Sequence, residues 1–154
     1  MTKAEYAVLK ARTPAPVTEG WKDGALTVWV PGTPKHFKGK GDRYTVARHT
    51  KDWRARTVTA IYRVRFRSVD GADAGFPSSP ERPKRITFTV FCRNAFDSDE
   101  NLRLVCSPLK DALIDMRLIQ DDRDSAGHTF IYLQVPSRVK GAALGIAVRV
   151  ELAP

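Results

Sequence analysis

The chain has 154 residues, of which 42% are hydrophobic and 28% charged, and a formal net charge of +9. These values are typical of a single ordinary globular domain, with no apolar run near the roughly 20 residues of a membrane span and no apolar core of a secretory signal. Its two cysteines, Cys92 and Cys106, lie in apolar runs, which is typical of buried thiols in a reducing compartment, so we expect a cytoplasmic protein.

The N-terminal part predicts a tail followed by a strand. Residues 1–23 contain prolines and little periodicity, which is typical of a loosely attached tail, so the domain is expected over 24–154. The apolar run Leu26–Val30 predicts a strand that ends at Pro31. The loop that follows, KHFKGKGDRY, combines glycines, aromatic residues and cations, which suits contact with phosphates and bases.

Positive charge is concentrated in one part of the chain. Between Lys35 and Arg67 there are eleven Lys and Arg residues and only two Asp residues. Such density is typical of a nucleic-acid-binding surface, although a solvated face is the alternative. The candidate nucleic-acid-binding residues are Lys35, Lys38, Lys40, Arg43, Arg48, Lys51 and Arg54.

The segment Thr50–Arg67 fits two structures. Thr50 resembles a helix N-cap, and a stripe from Trp53 to Val64 has helical spacing. The alternation of side chains from Val58 to Phe66 fits a strand instead. Local sequence alone slightly favours a strand in the second half of this segment.

The C-terminal half predicts three strands and a helix. Arg85–Arg93 alternates as a strand, and apolar spacings of three and four predict a helix over 99–116, which either kinks or restarts at Pro108. Thr129–Val135 and Ala143–Leu152 predict two further strands, joined as a hairpin.

Two groups of acidic residues flank this helix. Asp97, Asp99 and Glu100 precede it, and Asp121 and Asp122 follow it. Acids at a helix N-terminus and in a turn have structural uses as well. Converging carboxylates repel by about 3 kcal/mol per pair at ~6 Å, so a converged group would bind a divalent cation.

Convergence is not automatic, because a helix of this length separates its ends by roughly 25 Å. It requires a kink at Pro108, a return path through 117–120, or a second chain.

Three stretches around this helix resemble the RusA family of Holliday junction resolvases: DSDENL from Asp97, LKDAL around Asp111, and LIQDD ending at Asp122. The family has a D-x-D-N turn, a helix with a D-A-L motif and a D-D pair ten residues after the helix Asp. The resemblance covers about 24–152, and its specific part runs from Asp97 to Asp122. It implies an α+β fold, with a mixed sheet of about four strands flanked by two main helices.

The resemblance also implies a function. Family members act as homodimers that cut four-way DNA junctions in recombination and repair by symmetric, metal-dependent phosphodiester hydrolysis. By this resemblance Asp97, Asp99 and Asp122 match the metal-binding carboxylates, and Asp121 is a neighbouring helper. Mg²⁺, or Mn²⁺, suits such oxygen ligands. Because the family has a helix after the basic loop, we expect a helix over about 50–65.

This sequence departs from the family pattern at two positions. Glu100 separates Asp99 from Asn101, which allows Asp99 and Glu100, or Asp99 alone, to be the ligands. Ser107 stands where the family has a Lys, and Lys110 is the candidate catalytic substitute. A catalytically weakened DNA-binding protein on the same fold, or a basic RNA-binding protein, are therefore the alternatives.

Overall fold

The computed structural model describes residues 15–22, 24–35, 43–67, 80–123 and 126–154. In chain order its elements are β1 (Gly20–Lys22), β2 (Ala25–Pro31), α1 (Arg43–Arg67), β3 (Lys84–Cys92), α2 (Asp99–Asp115), β4 (Thr129–Pro136) and β5 (Gly145–Leu152). The described residues thus form an α+β fold with a mixed sheet and two helices, as the sequence predicts.

The sheet has the strand order β1-β2-β5-β3-β4 within the described part of the chain, one strand more than expected. Only β3 and β4 pair in parallel, and α2 connects them. β5 is antiparallel to both β2 and β3, so these two strands run in the same direction. Pro31, Gly145 and Phe91 occupy one row of the register, which places the carboxyl ends of β2 and β3 at the same end of the sheet.

The predicted hairpin of the last two strands is wrong. β5 passes over to the other side of β3, where it pairs with β2 as well. The reason is hydrophobic burial: Ile146, Val148 and Val150 are fully buried there, as a central strand requires, whereas β4 has exposed residues on one face.

Gly20–Lys22, which the sequence analysis includes in the tail, pairs with β2 as β1. Residues 1–14 of that tail lie outside the described part.

α1 confirms the helix prediction but begins seven residues before Thr50. Thr50 is therefore not an N-cap, and its hydroxyl donates to the Val46 carbonyl one turn earlier. The alternation of side chains from Val58 to Phe66 fits a strand, but burial in the folded protein favours the helix, because Trp53, Ile61 and Val64 are buried at helical spacing.

α2 is a single helix with Pro108 inside it rather than two helices. Its apolar stripe packs with that of α1 on one face of the sheet, against Ile86, Phe88 and Val90 of β3. Cys92 and Cys106 are free and buried as predicted. No helix within the described ranges is both long and apolar enough to cross a membrane.

Candidate functional site

The first acidic turn lies at the carboxyl end of β3. The backbone N–H of Phe96 donates to Gln134 Oε1 at 2.9 Å, which ties this turn to the end of β4. Ser98 caps α2 by accepting from the Asn101 N–H at 3.2 Å. Asp97 and Asp99 are both exposed, and Asp99 lies in the first helical turn, where the helix dipole also favours a carboxylate.

The second acidic turn lies at the other end of the same strand. The Gln120 N–H donates to the Pro80 carbonyl, just before β3 begins. Leu118 and Ile119 are buried and fix the turn. Asp121 accepts from the Arg123 backbone and forms an ion pair with its side chain, both at 3.0 Å, while Asp122 is exposed.

The two acidic turns do not meet within one chain. β3 has nine residues, which at about 3.3 Å per residue separates the turns by roughly 25 Å. α2 continues through Pro108, and the return path through 117–120 leads away from Asp97. Across the described ranges, which include all four predicted metal ligands, no three or more His, Cys, Asp or Glu residues are grouped so as to hold a metal ion. Of the three routes to convergence, only a second chain remains.

Lys110, the predicted catalytic lysine, faces the aromatic side chains of β4. Its Nζ lies 4.4 Å from the ring centroid of Phe130 and 5.3 Å from that of Tyr132. A cation over a ring face is stabilised by the ring quadrupole. Lys110 thus lies between the two acidic turns rather than in either, and Ser107 is exposed one turn away.

The predicted nucleic-acid-binding cations are only partly described. Lys38 and Lys40 lie outside the described residues, whereas Lys35 is exposed just after β2. Arg54 is engaged by Asp115 through two hydrogen bonds of 2.6 and 2.7 Å, which raises the pKa of Arg54 and lowers that of Asp115. The remaining three, Arg43, Arg48 and Lys51, are exposed on α1.

A basic pocket beside the end of β2 was not predicted from the sequence. This pocket has a volume of about 260 Å³ and is lined by Thr33, Lys35, His49, Asp52, Trp53 and Arg56. Of these, Asp52 and Trp53 follow His49 by three and four residues, and Arg56 follows them by four and three, which is the spacing of one helix face. That signal was lost because the helix was expected to begin at Thr50, one residue after His49.

A second missed feature is the buried pair at the start of β3 and β4. Lys84 is fully buried, and its backbone N–H donates to Nδ1 of His128 at 3.1 Å. The buried Nε2 of His128 has no hydrogen-bond partner within the part of the chain that the structure describes. Burial first, and Lys84 second, lower the pKa of His128, while Asp121 raises it.

β4 forms one edge of the described sheet, since β3 is its only partner strand there. Leu133 and Val135 are 50% and 43% exposed on this edge strand. An open edge with apolar side chains is a template for pairing with another strand.

Comparison with known proteins assigns no family. No family model matches the chain, and no curated protein matches it. A similar solved structure is that of the protein Atu1372 from Agrobacterium tumefaciens, whose function is unknown. The match has a TM-score of 0.43 and 14% identity, and covers 99% of this chain and 98% of that one.

Proposed function

We propose that this chain is a metal-dependent endonuclease that cuts branched DNA, such as four-way junctions, as a homodimer. The observation that carries the proposal is the division of the predicted carboxylates between the two ends of β3, beside the open edge of β4. The resemblance over Asp97–Asp122 supports the reaction class. Each active site would combine Asp97 and Asp99 of one copy with Asp121 and Asp122 of the other.

Pairing of two β4 edges accounts for this division. In a twofold-symmetric antiparallel pair, the carboxyl end of one strand lies beside the amino end of the other, about 4.8 Å away. The Asp97 turn is tied to Gln134 near the carboxyl end of β4. The Asp121 turn lies near His128, just before the amino end of β4. The pairing therefore brings the first turn of each copy to the second turn of the other.

The four predicted carboxylates suit the divalent metal ion that the family resemblance implies. Carboxylate oxygens are the ligands that Mg²⁺ and Mn²⁺ prefer, and a bound divalent ion supplies an activated water and neutralises charge on the phosphate. Asp97, Asp99, Asp121 and Asp122 would hold it. The cations of α1 would bind and orient the DNA backbone by charge.

Subunit mixing tests the shared site. One tagged copy carries Asp97→Asn and Asp99→Asn, a differently tagged copy carries Asp121→Asn and Asp122→Asn, and the mixed dimer is purified through both tags. Each variant alone is expected to be inactive on a four-way junction with Mg²⁺ or Mn²⁺. The mixed dimer retains one intact site and is expected to nick one strand, because both substituted pairs fall in the other site.

The outcomes separate the parts of the proposal. A wild-type protein that never cleaves refutes the nuclease, whereas a cleaving wild type with an inactive mixed dimer refutes the shared site. Glu81→Gln, an exposed acid outside both turns, is the matched control and is expected to cleave normally.

The dimer edge is tested separately with Leu133→Lys, which adds a charge to β4. We expect this variant to be monomeric by light scattering and to lose cleavage with the dimer. Leu104→Lys, an equally exposed leucine on α2 at 52%, is expected to change neither property. A monomeric wild-type protein that cleaves junctions symmetrically would contradict the edge pairing.

A second candidate function is DNA binding without cleavage. It is favoured by Ser107 in place of the family Lys and by the position of Lys110 over Phe130 and Tyr132. This candidate predicts salt-dependent binding to junction DNA with no product formed with Mg²⁺ or Mn²⁺. Preferential retention of structured RNA would instead support the RNA-binding alternative.

A further inference from the structure

The basic pocket beside the end of β2 contains an arginine that is held in place before any ligand arrives. Arg56 donates to the Pro31 carbonyl at 3.3 Å and pairs with Asp52 at 2.8 Å. Its guanidinium also lies 5.7 Å from the ring centroid of Trp53, which is buried. Among the described residues these contacts fix the planar group and use two of its five N–H donors, which leaves three for a ligand there.

Two further nitrogen groups line the same pocket. Lys35 is exposed at its rim. His49 lies against Trp53, with ring centroids 6.1 Å apart. Burial, Lys35 and Arg56 lower the pKa of His49, and Asp52 raises it. Burial is the largest of these causes and the neighbouring cations add to it, so an anion bound beside the imidazole would raise the pKa of His49.

A glycine beside the pocket lets Arg56 approach the backbone closely. Gly32 has φ +147°, and a Cβ there would lie 2.5 Å from Nη1 of Arg56. A glycine at this position lets the guanidinium lie directly against the chain. A rigid fork of donors beside a lysine is the arrangement that recognises phosphate.

We propose that the pocket formed by Lys35, His49 and Arg56 binds one phosphate group. If the proposed function holds, this group is a backbone phosphate of the DNA substrate. Asp52 opposes an anion there, but its carboxylate is already paired with Arg56.

The position of the pocket agrees with a phosphate that belongs to DNA. Pro31 and Phe91 lie in one row of the register on either side of Gly145. The strand ends that lead to the pocket and to the Asp97 turn are therefore at the same end of the sheet, and these strand ends are two strand spacings or about 10 Å apart. A DNA strand held by one phosphate in the pocket passes near the first acidic turn.

Titration with inorganic phosphate, followed by NMR of the histidine rings, tests the pocket itself. We expect saturable shifts of the His49 signals and a higher His49 pKa in the bound state, while the His128 signals stay unchanged. Arg56→Ala and Lys35→Ala are each expected to weaken phosphate binding about tenfold or more, because charge-assisted hydrogen bonds are lost. Lys35→Ala is the safer variant, since Lys35 is exposed and its loss leaves the fold intact.

Lys22→Ala is the matched control, an exposed cation at the opposite end of β2. If Lys22→Ala weakens phosphate binding equally, or if the His49 signals do not respond to phosphate, the proposal that this pocket binds phosphate is refuted.

Binding to a junction oligonucleotide at several salt concentrations tests the source of the phosphate. Loss of one phosphate contact reduces the slope of log K against log salt by about 0.7 to 0.9. We expect this reduction in Arg56→Ala and not in Lys22→Ala. Phosphate binding with an unchanged DNA slope would support the pocket but assign it to free phosphate or a nucleotide. Because both readouts are binding, absence of cleavage refutes the nuclease without affecting this result.

Discussion

Gly32→Ala is expected to destabilise the protein because it strains the backbone and displaces Arg56. The φ of +147° is a conformation that residues with a Cβ rarely adopt, which costs about 1–3 kcal/mol. The added Cβ would also lie 3.1 and 3.2 Å from two carbons of Trp53, and 2.5 Å from Nη1 of Arg56. Overpacking of this kind costs about 1–3 kcal/mol more.

Gly20→Ala separates these two contributions. Gly20 has a similar φ of +136°, but its added Cβ would meet nothing within 4 Å. We therefore expect Gly32→Ala to cost about 1–3 kcal/mol more than Gly20→Ala in urea unfolding. At about 2–4 °C per kcal/mol for a chain of this size, the extra loss is visible in a thermal melt.

A double-mutant cycle tests whether Arg56 is the group that the added Cβ meets. Arg56→Ala removes the nitrogen that the new Cβ meets, so in that background Gly32→Ala is expected to cost about 0.5–1.5 kcal/mol less. The reasoning is refuted if Gly32→Ala costs no more than Gly20→Ala, or if the two substitutions are additive.

Three further predictions follow from the ionisable groups. The stability of the protein is expected to fall as pH drops below 6.5, because the lowered pKa of His128 means that the folded state favours the neutral ring. A His128→Gln variant that loses as much stability in acid, measured by urea unfolding, would contradict this. Burial raises the pKa of Cys106 to about 12, so its thiol is expected to resist Ellman's reagent at pH 8 until the protein unfolds, and rapid reaction in the native state would argue against the packing of α2. Asp115→Asn is expected to lower the free energy of unfolding by no more than about 1 kcal/mol at neutral pH, since the pair with Arg54 is largely exposed. The contribution of this pair is present above the ordinary pKa of 3.8 and is lost as pH falls through the lowered pKa of Asp115. A wild type and variant whose stabilities differ equally at pH 7 and pH 2 would refute this prediction.

Local patterns predicted the elements whose burial is regular. β3 alternates buried and half-buried residues over its nine positions, and α2 carries an apolar stripe with a capping serine. Both were predicted within two residues of their ends. α1 was harder, because its alternating arginines and apolar residues fit a strand, and only the packing of Trp53 and Ile61 decides for a helix.

Strand pairing was not available from local sequence. The short connection between β4 and β5 favoured a hairpin, yet β5 is the more buried of the two strands and takes the central position between β2 and β3. The same limit applies to the candidate site. The resemblance pointed to Asp97, Asp99, Asp121 and Asp122, and the length of the helix already predicted that the two turns lie far apart. Which strand ends the two turns adjoin is shown only by the hydrogen bonds to Gln134 and Pro80.

The carboxylates of the first acidic turn and the cations of the pocket would contribute opposite electrostatic energies to DNA binding. Asp97 and Asp99 repel a phosphate backbone unless a cation is present, so DNA approaching that end needs a compensating attraction nearby. Arg56 and Lys35 lie beside the carboxyl end of β2, which is two strand spacings, or about 10 Å, from the carboxyl end of β3 that leads to the Asp97 turn. This spacing is comparable to the Debye length in physiological salt. Loss of a pocket cation is therefore expected to weaken DNA binding with or without metal. Loss of Asp97 is expected to leave metal-free binding intact or tighter, because it removes repulsion while abolishing cleavage. Under the two proposals, the pocket cations would bind the DNA and the carboxylates would support its cleavage.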